Sequence, residues 1–154
     1  MNKIFYFTGT GNSLQIAQDL CEKIGNCSIE KVAEYKGENI DAETICIVFP
    51  VYNWGIPLII GDFLSRLNID GQSSVYAVAN FGGLPGKALD MVDDILNKKG
   101  RKLSGGFLIR MPGNYIVGYG AYKEDAQKKM FKKESIKIDY IAECIKNKKV
   151  LPIE

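Results

Sequence analysis

The residues of this chain that could do chemistry are concentrated in short turns after apolar segments. The first turn, FTGTGNS, occupies residues 7–13, between the apolar segment IFYF and the amphipathic segment LQIAQDL. Such a turn at a helix start favours phosphate binding, because the first N–H groups of a helix are unpaired and its dipole attracts anions. An ordinary glycine turn with a serine N-cap is the alternative. The predicted anion contacts are Thr8, Gly9, Thr10, Gly11, Asn12 and Ser13.

Nucleotide-binding motifs are excluded by their spacing. In the dinucleotide fingerprint a third glycine would stand at Leu14, and in a P-loop a lysine would stand at Asn12. The segment GGLPGKA also resembles a P-loop, but Gly82 and Gly86 lie one residue too close together. Ala88 then replaces the hydroxyl residue that binds magnesium in true P-loops.

The composition excludes several further chemistries. The chain has no histidine, which removes Ser-His-Asp and Cys-His catalysis. Of four cysteines none forms a C-x-x-C pair, and Cys21, Cys46 and Cys144 lie in apolar or helical patterns, which predicts free thiols. We therefore predict neither a catalytic residue nor a metal site.

The charge and hydropathy of the chain point to a protein without nucleic acid or membrane as partner. The formal net charge of +2 is too small to indicate nucleic-acid binding. No apolar run is long enough for a membrane span, and the N-terminus does not read as a signal peptide. We expect a cytoplasmic protein.

Strand and helix patterns alternate along the whole chain. Predicted strands cover 3–7, 28–32, 44–49, 74–79 and 102–111, the last with a bulge at Gly105 and Gly106; predicted helices cover 13–24, 57–67, 85–99 and 122–148. This alternation predicts one α/β domain over residues 1–154, a parallel sheet with helices on both faces. Ligands of such sheets bind at the carboxyl ends of the strands, where this chain has PVYNWGIP, NFGGLPG and PGNYIVGYG.

These turns resemble those of the flavodoxin family. TGTGNS is similar to the flavodoxin phosphate loop, T/S-x-T-G-x-T, while VFPVYNWGIP, NFGGLPGKAL and RMPGNY resemble the flavodoxin domain of flavodoxin–ferredoxin fusion proteins. The resemblance covers roughly residues 1–149. It implies a doubly wound five-stranded sheet in the order 2-1-3-4-5, non-covalently bound FMN and electron transfer. The chain lacks a C-x-x-C-x-x-C run, so a short flavodoxin and a shortened fusion protein both stay open.

The resemblance also implies where the flavin ring would lie. Trp54 or Tyr52 would stack on it from the loop after the third strand, and Phe81 from the loop after the fourth. In the family a peptide beside flavin N5 flips on reduction, and the candidates here are Asn53–Trp54 and Trp54–Gly55. The other predicted cofactor-binding residues are Pro50, Asn53, Gly55, Asn80, Gly82, Gly83, Asn114 and Tyr115.

The expected function is that of a monomeric electron carrier between redox partner proteins, ferredoxin-like or reductase. A flavin-dependent NAD(P)H:quinone or FMN reductase is the alternative, with residues 112–121 as a cover over the flavin; a non-redox phosphate-binding domain is a third. One feature departs from the acidic surfaces of many flavodoxins. Residues 123–149 carry nine lysines against five acidic residues, which indicates either a solvated helix face or an unusual partner.

Overall fold

A parallel five-stranded sheet forms the centre of the molecule. The computed structural model describes residues 1–111 and 120–154. The strands run in the order β2-β1-β4-β6-β7, which is 2-1-3-4-5 when only these five are counted, and confirms the prediction. The elements in chain order are β1 (Asn2–Tyr6), α1 (Asn12–Ile24), β2 (Cys27–Lys31), β3 (Asn39–Ile40), β4 (Thr44–Pro50), α2 (Leu58–Arg66), β5 (Asn68–Ile69), β6 (Ser74–Phe81), α3 (Ala88–Lys98), β7 (Gly105–Arg110) and α4 (Gly120–Lys146).

Helices cover the sheet on both faces, so the central strands are apolar along their whole length. Phe49 and Ile47 of β4 belong to one buried cluster, which includes Phe63 of α2. Val48, their neighbour between them, belongs to the opposite cluster with Ile16 of α1. This alternation follows from the two-residue period of a strand, and it explains the continuous apolar run that predicted β4.

The strand registers align the loops that follow the strands. Tyr6 of β1 lies opposite Val48 of β4. Pro50 of β4 lies opposite Asn80 of β6. The three loops after β1, β4 and β6 therefore leave the sheet at one edge, where the sequence predicted a ligand site.

The cysteines differ from the prediction. Cys21 and Cys27 form a disulfide, so the expectation of a free thiol at Cys21 is wrong. The turn between α1 and β2 brings their Cα atoms to 5.3 Å, within the range that a disulfide requires. Cys46 and Cys144 are free and buried, as predicted, and burial raises the pKa of Cys46 to about 12.

Two further features were not anticipated. Strands β3 and β5 pair in a small separate sheet, which two-residue strands do not announce in the sequence. The bulge expected at Gly105 and Gly106 is wrong, because both pair in continuous register with β6. A side chain at Gly105 would instead crowd the Tyr76 ring, with a first contact at 3.2 Å. In residues 1–111 and 120–154, no helix combines the length and apolarity that crossing a membrane requires.

Candidate functional site

The turn after β1 leaves the start of α1 open. Gly11 is the N-cap of α1, with φ 95°, and no side chain in the described part of the chain caps the helix. Thr8 turns inward instead, since its Oγ1 accepts a hydrogen bond of 2.8 Å from the Gly11 N–H. Gly9, Thr10 and Gly11 are exposed. The first turn of α1 thus presents main-chain N–H groups and a positive dipole end without an acidic residue nearby in its sequence.

Ser13 has a different place from the rest of this turn. Its side chain is only 1% exposed, and its Oγ accepts a hydrogen bond of 2.6 Å from Asn80 Nδ2. Asn80 also donates to the Phe49 carbonyl at 3.1 Å. Two of the predicted contact residues, Ser13 and Asn80, therefore join the start of α1 to the sheet.

The loop after β4 is a two-residue hairpin turn. Tyr52 and Gly55 exchange main-chain hydrogen bonds of 2.9 and 2.8 Å, which places Asn53 and Trp54 at its tip. Both tip residues have positive φ, 48° and 62°, as a type I′ turn requires. Asparagine tolerates this conformation, but for a bulky residue such as Trp54 it is strained. The indole itself is 68% exposed.

The loop after β6 braces this hairpin from behind. The Lys87 N–H donates to the Trp54 carbonyl at 3.1 Å. A Cβ on Gly86 would lie 2.1 Å from the same carbonyl oxygen, so only glycine fits there. Within the P-loop-like segment GGLPGK, the glycine at position 86 is thus required by the close approach of two loops.

The two peptides at the hairpin tip differ in freedom. The Trp54–Gly55 peptide is held at both ends, its carbonyl by Lys87 and its N–H by the Tyr52 carbonyl. The Asn53–Trp54 peptide forms no hydrogen bond with any described residue. A half-turn of that peptide would convert the type I′ turn into type II′ and bring φ of Trp54 to a negative value.

Tyr52 connects the β4 hairpin to the turn after β1. A Cβ on Gly9 would lie 2.5 Å from the Tyr52 Oη, so the hydroxyl occupies the space above this glycine. The Tyr52 ring also meets the Phe7 ring edge-on, with centroids 6.0 Å apart. Two loops that the sequence separates by about forty residues are thereby in direct contact.

An open cleft of about 390 Å³ lies between the β4 hairpin and the loop after β6. Its lining includes Asn53, Trp54, Phe81, Gly82, Gly83 and Leu84. The guanidinium of Arg110 lies 5.0 Å from the centre of the Phe81 ring, and its Nη1 donates to the Gly82 carbonyl at 3.1 Å. The cleft falls within the size range of small-molecule sites, and five predicted residues line it.

A second cleft, of about 440 Å³, runs from the turn after β1 along α1 and α4. Thr10, Gly11 and Asn12 stand at its head. Glu134 of α4 also lines it and is only 7% exposed. Burial, with the nearby Asp19 carboxylate, raises the pKa of Glu134.

The predicted residues thus divide into distinct groups. Pro50 is the half-buried last residue of β4, and Gly55 is buried behind the hairpin. Asn114 and Tyr115, like most of the proposed cover at residues 112–121, lie outside the described residues. Sequence reasoning missed Gly86, Lys87 and Arg110, because each contributes through a contact with another part of the chain.

Comparison with known proteins yields structural matches only. No protein-family model matches the sequence, and no curated protein matches it. The azoreductase AzrA superposes with a TM-score of 0.62 at 10% identity, covering 92% of this chain and 99% of that one. Two-electron reduced Megasphaera elsdenii flavodoxin gives 0.60 at 16% identity, covering 84% and 98%. The FMN-dependent NADH-azoreductase of Bacillus anthracis str. Ames Ancestor, determined with FMN, gives 0.56 at 13% identity, covering 92% and 99%.

The chain has the flavodoxin-like fold. The strand order, the helices on both faces and these superpositions agree on that point. Sequence identities of 10–16% establish the fold alone. A function must therefore be inferred from the chemistry of the chain's own loops.

Proposed function

We propose that this chain binds FMN non-covalently at the carboxyl edge of its sheet and passes electrons between redox partner proteins. The observation that carries this proposal is the contact between two unlike loops, an open helix start and a braced aromatic hairpin. When bound, FMN supplies one- and two-electron redox chemistry, and the protein supplies binding, orientation and tuning. The cytoplasm and a monomeric state belong to the same proposal.

The turn after β1 fits a terminal phosphate. The uncapped α1 offers unpaired main-chain donors and a favourable dipole, while Thr10 and Asn12 add side-chain donors. Gly11 has a positive φ, and no described residue lies within 4 Å of its Cβ position, so the main chain there is open to a ligand. Ser13 keeps the two donors that a phosphate could use, its main-chain N–H and its hydroxyl proton, while its oxygen accepts from Asn80.

The cleft beside the hairpin fits a planar apolar ring. Trp54 and Leu84 are 68% and 69% exposed, and apolar side chains this open gain from covering by a ligand. Phe81 adds a second aromatic ring to the lining. The Gly82 and Gly83 main chain is close enough to the surface to approach a ligand edge.

The hairpin supports the Asn53–Trp54 peptide as the one that responds to reduction. The Asn53 carbonyl would be free to turn toward a flavin in the cleft and accept a hydrogen bond from it, whereas the Trp54 carbonyl already accepts from the Lys87 N–H. Rotation of this peptide would also bring φ of Trp54 from 62° to a negative value. The release of backbone strain lowers the free-energy cost of the rotation. The alternative at Trp54–Gly55 would break two hydrogen bonds, each worth about 1 kcal/mol.

Ligand titration tests the binding half of the proposal. FMN and riboflavin are added separately to the flavin-free protein, and binding is followed by the quenching of flavin fluorescence. Because riboflavin lacks the phosphate, we expect it to bind at least about a hundredfold more weakly. Equal affinity for both flavins, or no uptake of either, contradicts the assignment of the turn after β1.

Anaerobic titration with dithionite tests the electron-transfer half. A carrier passes through a one-electron stage with its own visible spectrum, and it oxidises NADPH only slowly without a partner. Rapid NADPH oxidation combined with direct two-electron bleaching would favour the reductase alternative. Gly55→Ala is a control for the assignment of the rotating peptide. Its new Cβ meets mainly the flexible end of Met91 and leaves the Asn53–Trp54 peptide free, so the one-electron stage should be unchanged.

A further inference from the structure

A groove of about 400 Å³ beside β7 is not used by the proposed cofactor site. It lies between the edge strand β7 and α4. Leu108 and Ile109 of β7 line the strand side of the groove. Its cationic lining consists of Arg110, Lys129, Lys133 and Lys137.

The three lysines form a regular row along α4. Their spacing of four residues places them on one face of the helix. At a rise of 1.5 Å per residue the row spans about 12 Å, longer than a single phosphate needs. A row of this length is suited to several carboxylates distributed over a protein surface.

Of the two described carboxylates at this groove, one is paired with a lysine at its far end and the other is buried. Lys137 pairs with Glu154 at 2.6 Å, which neutralises the far end of the row. Glu134, the carboxylate within the lining, is buried, and its raised pKa shows that the environment disfavours its charge. Lys129 and Lys133 are exposed and form no ion pair within the described residues. The net positive end of the groove therefore faces the carboxyl edge of the sheet.

Arg110 joins this groove to the candidate cofactor site. Its guanidinium lies over the Phe81 ring and bonds to the Gly82 carbonyl, so the same side chain borders both. A protein seated on the lysine row would reach the loop after β6 directly. Short separation matters here, because electron transfer between proteins slows steeply with distance.

We propose that this groove docks an acidic redox partner, a small ferredoxin-like protein whose carboxylates meet Arg110, Lys129 and Lys133. The inference rests on the proposed electron-transfer function and names the chemistry of its partner. Complementary charges of this kind steer encounter and set the partner's orientation. The half-buried Leu108 adds apolar contact area beside the charged side chains.

Direct binding tests the proposal without relying on electron transfer. The probe is a fluorescently labelled acidic two-cluster ferredoxin, and its anisotropy is measured against this protein, with and without FMN. At 20 mM salt we expect Lys129→Gln/Lys133→Gln to weaken binding about fivefold relative to the unmodified chain. The matched control is Lys98→Gln/Lys102→Gln, which removes the same charge from exposed sites near the amino end of β7. The control should change binding less than about twofold.

The salt series and two competitors complete the test. Raising salt to 200 mM should weaken ferredoxin binding and remove the difference between the two double variants. Equal binding by both variants overturns the proposal, as does basic cytochrome c binding as tightly as ferredoxin. Displacement of ferredoxin by NADPH also overturns it, in favour of a nucleotide site.

The two proposals fail in distinguishable ways. If the chain takes up no FMN but the lysine substitutions still weaken ferredoxin binding, the proposal of FMN as cofactor is wrong and the docking proposal is supported. If FMN binds and ferredoxin does not, the groove falls and the cofactor stands. Thermal unfolding of each variant shows that a change in binding is not a loss of fold.

Discussion

The turn after β1 and the hairpin after β4 lie at the same edge of the sheet but are held in opposite ways. The hairpin is fixed by its own paired hydrogen bonds and by the Gly86–Lys87 segment behind it. The exposed part of the turn after β1, residues 9–11, has far less support: the Gly11 N–H donates to Thr8, and the Tyr52 hydroxyl lies close to Gly9.

This difference indicates a division of labour. A strained residue such as Trp54 keeps its conformation only where surrounding contacts determine it, and such strain is common at ligand sites. Main-chain donors at a helix start are more useful when they stay unpaired, because a ligand then completes their hydrogen bonds. We therefore expect substitutions at the hairpin to affect stability, with or without an effect on binding, and those at the turn to affect ligand binding alone.

The largest expected effect is at Gly86. In Gly86→Ala the new Cβ would meet the Trp54 carbonyl at 2.1 Å, and the residue would also keep an unfavourable φ of 58°. We expect a loss of about 3 kcal/mol in the free energy of unfolding, because the clash is with main chain that cannot move alone. Urea denaturation measures the loss.

Gly83→Ala is the matched control for that substitution. Gly83 is in the same loop, has no neighbour within 4 Å of its Cβ position and has no positive φ. Its free energy of unfolding should change by less than about 0.5 kcal/mol. If both variants lose the same stability, the bracing of the hairpin by Gly86 is wrong.

Trp54→Gly should change stability and binding in opposite directions. Glycine adopts positive φ without cost, so we expect the free energy of unfolding to rise by about 1 kcal/mol. FMN binding should weaken, since the exposed indole is lost from the cleft. Asn53→Gly is the control, because asparagine already tolerates its φ of 48° and little strain is released. A Trp54→Gly variant that is less stable than the unmodified chain contradicts the assignment of strain.

The sequence predicted the sheet and the strand ends at which the candidate site residues lie, but not the contacts between the loops. Continuous apolar runs such as residues 44–49 define buried strands by themselves, because period and composition are local properties. The Gly86 contact with Trp54 joins residues 32 positions apart, and no local pattern encodes it. The Cys21–Cys27 disulfide joins residues only six positions apart, but it was missed because it depends on how the intervening turn folds.

The contact between Gly9 and Tyr52 gives a smaller effect, on binding alone. In Gly9→Ala the Cβ displaces the Tyr52 hydroxyl, the movable end of a side chain, so the fold should tolerate it. We expect FMN binding to weaken about fivefold, or about 1 kcal/mol, as the turn shifts. Gly9→Ala/Tyr52→Phe should recover part of the affinity because the clashing oxygen is gone. If Gly9→Ala weakens FMN binding as much in the Tyr52→Phe background as in the unmodified chain, the two loops are not coupled.

The smallest expected effect concerns Glu134, which lines the cleft headed by the turn after β1. Because burial raises its pKa, the folded state holds a proton on this carboxyl to higher pH than the unfolded chain does. Glu134 therefore reduces stability as the pH rises above the ordinary pKa of glutamate, and Glu134→Gln removes that loss. The variant should be more stable than the unmodified chain at pH 7, with the gain disappearing below about pH 4.

The same substitution also tests the openness of the turn after β1. Removing a carboxylate from the cleft that Thr10 and Gly11 share should strengthen FMN binding about twofold at pH 7. Glu143→Gln is the matched control, since Glu143 is an exposed residue on the same helix outside this cleft. Denaturation and FMN titration at pH 4 and pH 7 separate the two contributions. If Glu134→Gln raises stability equally at pH 4 and pH 7, the gain in stability comes from packing. If Glu143→Gln strengthens FMN binding equally, the gain in affinity comes from net charge.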